Sequence, residues 1–168
     1  VGLCGVLAAK IRGAKRIILM SRHADRQKMG KEFGTTDFVS ERGEEAIKKV
    51  MELTDGAGAD SILECVGTEL AMKTCFGLAR PGAMIGGVGV PQDAHMANLT
   101  NLFGKNIGVQ GGTASVTTYD REVLLDAVLQ GKIHPGHVFT KRFDLDHIND
   151  AYSAMDKRKV IKSLIVID

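Results

Sequence analysis

Four short groups of small or polar residues stand at the ends of apolar stretches that are typical of buried parallel strands. They are Ser21-Arg22-His23, Cys65-Val66-Gly67, Val88-Gly89-Val90 and Gln110-Gly111-Gly112. Ligands of open parallel sheets bind beyond the carboxyl ends of the strands, so these groups are the candidate site. In the first group, the serine hydroxyl can donate to a phosphate oxygen, and the arginine guanidinium offers a planar fork that suits a phosphate.

The cysteine and histidine residues form no metal-binding or catalytic pattern. Cys4, Cys65 and Cys75 are far apart and none belongs to a CxxC motif, so we predict free thiols and no metal site in this chain. No histidine or other base is near Cys65 in the sequence, which argues against a nucleophile. Pro and Gly separate His134 from His137, so these two histidines cannot share a helix face.

Predicted helices and strands alternate along the chain. Apolar spacing predicts helices at residues 3–12, 24–33, 43–54, after Thr68 up to a turn at 79–82, from Thr118 to a stop at Gly131, and at 146–155. Apolar runs predict strands at residues 16–20, 38–39, 61–66, 83–90, 106–110 and 161–167, with an extended piece at 138–139. This alternation indicates βαβ units in one α/β domain, residues 1–168, with a parallel sheet covered on both faces.

Composition restricts the class of protein. The 168 residues are 44% hydrophobic, carry a net charge of +2 with both signs scattered, and include no Trp. The absence of a clustered basic face with aromatic residues argues against nucleic-acid binding. No apolar run is long enough to cross a membrane, and the first residues lack the basic region of a signal peptide. Three unpaired cysteines favour a reducing compartment, which predicts a cytoplasmic protein.

Many short segments, in order, resemble the cofactor-binding domain of the zinc-dependent medium-chain alcohol dehydrogenase family. They are residues 1–3 leading into a helix that ends at 13–14, and then 32–37, 58–60, 64–67, 80–83, 88–91, 106–112, 151–155 and 160–162. The resemblance covers nearly the whole chain. It implies a Rossmann-like, doubly wound parallel sheet and the function of an NAD(P)-dependent oxidoreductase.

The resemblance also implies that this chain begins after the first strand of that domain. Gly2 then matches the third glycine of the G-x-G-x-x-G motif, and Gly2 and Leu3 stand at the helix N-terminus that faces the cofactor pyrophosphate. In the strand order 3-2-1-4-5-6 the absent strand is central, so we expect a split sheet. The catalytic domain, with its zinc and most of the substrate pocket, would lie outside residues 1–168. We therefore expect this chain alone to be inactive, with no catalytic residue of its own.

Nucleotide choice is expected at the end of the 16–20 strand. NAD-specific members of the family carry an acidic residue there, which binds the adenosine ribose and repels a 2′-phosphate. The matching residue is Ser21, followed by Arg22 and His23, with Arg26 one helical turn further on. These residues favour NADP, while NAD is kept as the other possible cofactor.

The nicotinamide end is expected at the ends of the later strands. In the family, main-chain groups there hold the carboxamide and the nicotinamide ribose. The matching residues are Cys65, Val66, Gly67, Val88, Gly89, Val90, Gly108, Val109 and Gln110. Lys162 matches a basic residue of the family that reaches the pyrophosphate.

The resemblance leaves other functions open. A zinc-free quinone or enoyl reductase shares this cofactor domain, and zinc ligands outside residues 1–168 would distinguish the two. A non-catalytic nucleotide-sensing module and a methyltransferase-like domain that binds S-adenosylmethionine are further alternatives. The basic residues after the 16–20 strand argue against the methyltransferase, because its ligand has no phosphate on the ribose.

Family members usually dimerise through edge strands of this domain. The matching region is residues 91–110, in which Met96, Leu99, Leu102 and Phe103 are apolar enough for an interface. A self-complementary edge would cover an otherwise exposed strand, so we predict a homodimer or a tetramer built from it.

Overall fold

A computed structural model describes residues 1–92, 99–113 and 117–167, in which helices and strands alternate. The helices are α1 (Gly2–Ile11), α2 (Ala24–Phe33), α3 (Gly43–Leu53), α4 (Glu69–Leu78), α5 (Leu99–Lys105), α6 (Thr118–Leu129) and α7 (Ile148–Asp156). The strands are β1 (Ile18–Met20), β2 (Asp37–Val39), β3 (Ala59–Glu64), β4 (Ala79–Gly87), β5 (Gly108–Gly111), β6 (Phe139–Phe143) and β7 (Lys162–Ile165). A single 3₁₀ turn, Pro135–Val138, precedes β6.

Every strand pairing in the described residues is parallel, which confirms the predicted fold class. The strands form three sheets, β1-β2, β3-β4-β5 and β6-β7. β1 and β3 do not pair with each other. This break coincides with the position of the central strand that the family order requires, so the expected split of the sheet is present. β6 and β7 make a small sheet of their own, which the sequence did not predict.

Some element boundaries differ from the sequence predictions. β4 begins at Ala79, where a turn was expected, because the register moves from Ala59–Ala79 to Ser61–Met84 and residues 80–83 bulge from the strand. β3 ends at Glu64 and β4 at Gly87, so residues 65–67 and 88–90 lie in loops beyond the strands. Helix α5 falls in a segment whose sequence has no clear periodicity.

Capping residues explain several helix ends. Thr68 accepts a hydrogen bond from the Ala71 N–H at the start of α4, as the sequence predicts. Helix α6 is capped by Thr117 rather than by the expected Thr118, because Thr117 and Asp120 form a reciprocal capping box. Gly34 ends α2 in the left-handed conformation, with φ at 111°.

The core consists of three clusters of buried apolar side chains. The first joins α1 and α2 to Ile17 and Ile133. The second lies between α4 and β4 and includes Phe76 and Ile85. The third joins β2 and α3 to Leu78. These clusters hold helices against the faces of the sheets and leave the carboxyl ends of the strands uncovered by the core.

Candidate functional site

The ends of β3 and β4 are joined through Glu64, the last residue of β3. Glu64 is only 2% exposed. Its carboxylate accepts hydrogen bonds from the main-chain N–H groups of Val66 at 2.7 Å and Gly67 at 2.9 Å. Its carbonyl oxygen accepts from the N–H groups of Val88 at 2.8 Å and Gly89 at 2.9 Å. One residue therefore sets the path of the loops after both strands.

These two loops touch at positions where only glycine fits. Gly67 has a φ of +88°, and a Cβ added to it would lie 1.9 Å from the carbonyl oxygen of Val90. A Cβ added to Gly89 would lie 2.5 Å from the Gly67 nitrogen. The Gln92 N–H donates to the Gly67 carbonyl oxygen at 2.8 Å. The two loops consequently form one continuous surface, which we call the β3–β4 tip (residues 64–67 and 87–92).

Exposed valines give the β3–β4 tip an apolar wall. Val66 and Val88 are about half exposed, and Val90 is 81% exposed. None of the three described clusters of buried side chains contains these valines. Exposed apolar side chains at the end of a sheet suit contact with the face of a flat ring. The tip thus has the chemical character that sequence reasoning assigned to the nicotinamide end.

The N-terminus of α1 lies beside the β3–β4 tip. A Cβ added to Gly2 would be 3.9 Å from the Cβ of Cys65. Val1 provides no side-chain cap for the helix, and the N-terminus of a helix is its positive end, which attracts anions. Leu3 packs its side chain into the first core cluster, so only its main-chain N–H can face a ligand. The structure therefore brings Gly2 next to the tip, and its predicted place at the pyrophosphate remains a prediction.

Strand β5 continues the same sheet edge. Gly111, its last residue, pairs with Gly87, and a Cβ on Gly111 would lie 2.4 Å from the Gly87 carbonyl oxygen. Gly108 and Gln110 lie within β5 rather than after it, and Gln110 is exposed. Their predicted contacts with the nicotinamide remain predictions, and so do those of the other site residues.

A basic group of residues follows β1. Ser21 is buried, and its main-chain N–H donates to the Val39 carbonyl oxygen at 3.0 Å. The Ser21 hydroxyl oxygen accepts from the His23 N–H at 3.4 Å. His23 precedes α2 without a side-chain cap hydrogen bond, Arg22 is exposed, and Arg26 is half-buried. We call Ser21, Arg22, His23 and Arg26 the β1 tip.

The structure adds a residue to the β1 tip that sequence reasoning missed. Nη1 of Arg158 lies 3.2 Å from Nε2 of His23, although the two residues are 135 positions apart. Burial, and then the positive charges of Arg158, Arg26 and Arg22, lower the pKa of His23 from its ordinary value of 6.5. No local pattern around Arg158 points to this contact, because the fold alone brings the end of α7 to the start of α2.

Lys162 lies in a different sheet from the strands that carry the tips. It is the exposed first residue of β7 and pairs with Phe139 of β6. The β6–β7 sheet is separate from the β3–β4–β5 sheet. The predicted contact of Lys162 with the pyrophosphate therefore remains a prediction.

Burial affects two of the cysteine thiols. Burial raises the pKa of Cys65, and it raises the pKa of Cys75 to about 12. All three cysteines are free. In the parts of the chain that the structure describes, no group of three or more His, Cys, Asp or Glu residues could hold a metal ion. None of the described helices has the length and hydropathy that a membrane span requires.

The alternating parallel elements, with a site built from strand ends and a helix N-terminus, define a Rossmann-type α/β chain. Comparison with known proteins gives its family. The family model described as "Zinc-binding dehydrogenase" matches residues 1–129, and the chain belongs to this family.

Individual relatives agree with this assignment. The chain is 26% identical to an L-threonine 3-dehydrogenase of Bacillus licheniformis, covering 99% of this chain and 48% of the relative. It is 29% identical to the NADP-dependent isopropanol dehydrogenase of Thermoanaerobacter brockii, covering 99% of this chain and 49% of the relative. The chain thus spans about half the length of the curated relatives that it matches.

Solved structures show the same fold. An alcohol dehydrogenase from Thermotoga maritima superposes with a TM-score of 0.83 at 28% identity, over 99% of this chain and 47% of the other. The alcohol dehydrogenase TADH from Thermus sp. ATN1 superposes with a TM-score of 0.90 over 100% of this chain and 48% of the other. At 24% identity, this second likeness concerns the fold alone.

Proposed function

We propose that these residues are the cofactor-binding part of a zinc-dependent alcohol or polyol dehydrogenase that uses NADP(H). The observation that carries the proposal is the arrangement of the two tips. The apolar β3–β4 tip adjoins the N-terminus of α1, and the basic β1 tip has a serine where NAD-specific members of the family have an acid. NADP-dependent dehydrogenases among the relatives support this choice of nucleotide.

At the nicotinamide end, the protein positions the nicotinamide ring. Gly67 and Gly89 let the two loops touch, because a Cβ on either residue would collide with the main chain of the other loop, and exposed Val66 and Val88 offer the face of a ring an apolar contact. Glu64 holds both loops: its carboxylate accepts the N–H groups of Val66 and Gly67, and its carbonyl oxygen accepts those of Val88 and Gly89. The nicotinamide supplies the hydride-transfer chemistry when it is bound. The residues of this chain orient it and keep water from one of its faces.

At the adenosine end, the protein's contribution is charge. The Ser21 hydroxyl and the guanidinium groups of Arg22 and Arg26 are donors that suit a phosphate on the ribose. A charge-assisted hydrogen bond contributes about 1.5–3 kcal/mol, which corresponds to about a 10- to 150-fold preference for NADPH over NADH. Without an acidic residue at position 21, nothing in the β1 tip opposes the phosphate of NADPH.

The test is a fluorescence titration of the full-length protein with NADPH and with NADH. We expect NADPH to bind about 10- to 150-fold more tightly. Ser21→Asp should reverse this preference, because a carboxylate repels the phosphate and accepts hydrogen bonds from a free ribose. Ser21→Ala is the matched control and should weaken NADPH without improving NADH. Tighter binding of NADH by the unsubstituted protein would contradict the proposal.

The remaining parts of the enzyme are proposed to lie outside these residues. The family is described as a zinc-binding dehydrogenase, and this chain spans about half the length of its relatives, which supports placing the zinc, the proton relay and the substrate pocket in a catalytic domain outside these residues. Metal analysis of the full-length protein should find zinc, and its absence would instead favour a quinone or enoyl reductase. Free thiols at Cys4, Cys65 and Cys75 suit the cytoplasm, which we propose as the location.

A further inference from the structure

Arginine residues from both ends of the chain give the β1 tip and its surroundings a positive charge. Arg22 lies just before α2 and Arg26 lies in its first turn. Arg158 lies two residues beyond the end of α7. All three arginines act electrostatically on His23, and among the residues that the structure describes Asp25 is the one acid that does so. Three guanidinium groups with one carboxylate leave net positive charge, and its natural complement is a bound anion.

The contact between Arg158 and His23 has a defined chemistry. A guanidinium has only donors, so Nε2 of His23 must be the acceptor at 3.2 Å. The imidazole is therefore neutral and carries its proton on Nδ1. The lowered pKa of His23 agrees with this, because a protonated ring would repel Arg158. A neutral histidine thus orients one arginine within a group of three.

The segment that follows Arg158 packs close to α2 and so holds Arg158 near it. A groove of about 280 Å³ is lined by residues of α2, including Asp25 and Met29, and by Lys159, Val160 and Ile161 from the segment after α7. Val160 is buried, and Ile161 packs against the core cluster of α1 and α2. The segment that carries Arg158 is therefore anchored beside the β1 tip rather than free in solvent.

Arg158 also has a backbone conformation that is unusual for a residue other than glycine. Arg158 has a φ of +55° and forms the left-handed end of α7, with its N–H bonded to Met155 and the N–H of Lys159 bonded to Ala154. Glycine is the usual residue at this position of such a motif. Arginine stands there instead, with its side chain on His23.

We infer that Arg158 is a specificity-determining residue, the third cation that binds the adenosine 2′-phosphate, and that His23 positions it. This inference rests on the proposed function, and it names a residue from the opposite end of the chain. The ligand chemistry is a phosphate monoester on a ribose. NADPH presents this group and NADH does not, so removal of Arg158 must act on one nucleotide and spare the other.

The experiment uses Arg158→Gly in the full-length protein. Glycine removes the side chain and suits the left-handed backbone, so the variant should fold. We expect the Kd for NADPH to rise about 5- to 30-fold and the Kd for NADH to change less than about twofold. Lys157→Gln removes one positive charge from the adjacent position and is the matched control, with both Kd values expected to stay within about twofold.

A second readout reports the contact itself. NMR titration of His23 should give a pKa below 6.5 in the unsubstituted protein and a value closer to 6.5 in Arg158→Gly. Binding of adenosine 2′,5′-bisphosphate should raise the pKa of His23, whereas 5′-AMP should raise it much less. Arg158, Arg22 and Arg26 oppose the protonated ring in the unliganded protein, Asp25 favours it, and the 2′-phosphate adds a negative charge.

The outcomes separate this inference from the proposed function. If the unsubstituted protein prefers NADPH and Arg158→Gly weakens both nucleotides equally, or neither, the role of Arg158 is wrong and the NADP assignment stands. If the unsubstituted protein prefers NADH, the NADP assignment fails, and the inference fails with it. An NADPH-selective loss in Arg158→Gly that Lys157→Gln does not share supports both.

Discussion

Burial distinguishes the thiols of Cys4 and Cys75. Cys4 is exposed on α1, while Cys75 is packed between α4 and β4. Burial and the nearby carboxylate of Glu64 raise the pKa of Cys75 to about 12, so its thiol stays protonated at neutral pH. Identical side chains therefore have different chemistry, and the sequence around each cysteine does not reveal the difference.

This difference predicts the order of alkylation. Brief treatment of the full-length protein with iodoacetamide at pH 8 should modify Cys4 and leave Cys75 unmodified, because only an accessible thiolate reacts. Mass spectrometry of the digested protein measures the modified fraction of each cysteine. The same treatment in denaturant is the control and should modify both residues. Modification of Cys75 before Cys4 in the native protein would contradict the structure.

At the scale of elements, the β3–β4 tip depends on close main-chain approach. Gly67 combines a positive φ with a contact that leaves no room for a Cβ. Gly82 also has a positive φ, of +78°, but a Cβ added to it would meet nothing within 4 Å. Both glycines therefore require a positive φ, but only at Gly67 would a Cβ collide with neighbouring atoms.

This pair of glycines predicts unequal losses of stability. Gly82→Ala should cost about 1–2 kcal/mol from the left-handed backbone alone. Gly67→Ala should cost a further 1–3 kcal/mol or so, because the added methyl group collides with the Val90 carbonyl group. Thermal unfolding of the full-length variants measures both effects. Equal melting temperatures for the two variants would show that the tip tolerates a Cβ.

The same scale shows how far elements could be predicted. Helices α2 and α3 begin where their sequence patterns place them. Helix α3 carries a stripe of apolar residues, and α2 places Met29 and Phe33 one turn apart before Gly34 ends it. Helix α5 and the pairing of β6 with β7 were missed, although β7 lies within the strand predicted at 161–167, because short segments gain their stability from neighbours that the local sequence does not name. The first residues of the loops after β3 and β4 were predicted as strand, because Val66 and Val88 extend the apolar runs of the two strands.

At the scale of the whole molecule, β5 is one of the two edges of its sheet, and β3 is the other. In the described part of the chain β5 pairs with β4 alone, and its residues are mostly exposed. Phe103 of the preceding helix is 91% exposed, although Leu102 beside it packs on the core. An exposed aromatic residue beside an unpaired edge strand is typical of an interface, so we propose a homodimer at this edge.

The dimer can be tested by light scattering of the full-length protein at micromolar concentration. We expect a dimer or a multiple of it, and we expect Phe103→Asp to shift the protein toward smaller species by burying a charge. Tyr152→Asp is the control, because this exposed aromatic residue lies on α7, in another part of the fold. A monomer in the unsubstituted protein, or equal effects of both substitutions, would refute this interface.

The sequence by itself determined the alternation of helices and parallel strands and the groups at the strand ends. These follow from local apolar periodicity and from the residues that end elements, which act over a few positions. Tertiary structure alone decided that Glu64 joins two loops, that Gly2 adjoins Cys65, and that Arg158 meets His23. Such contacts join residues through the packing of separate elements, and packing depends on the whole set of buried surfaces rather than on any one segment.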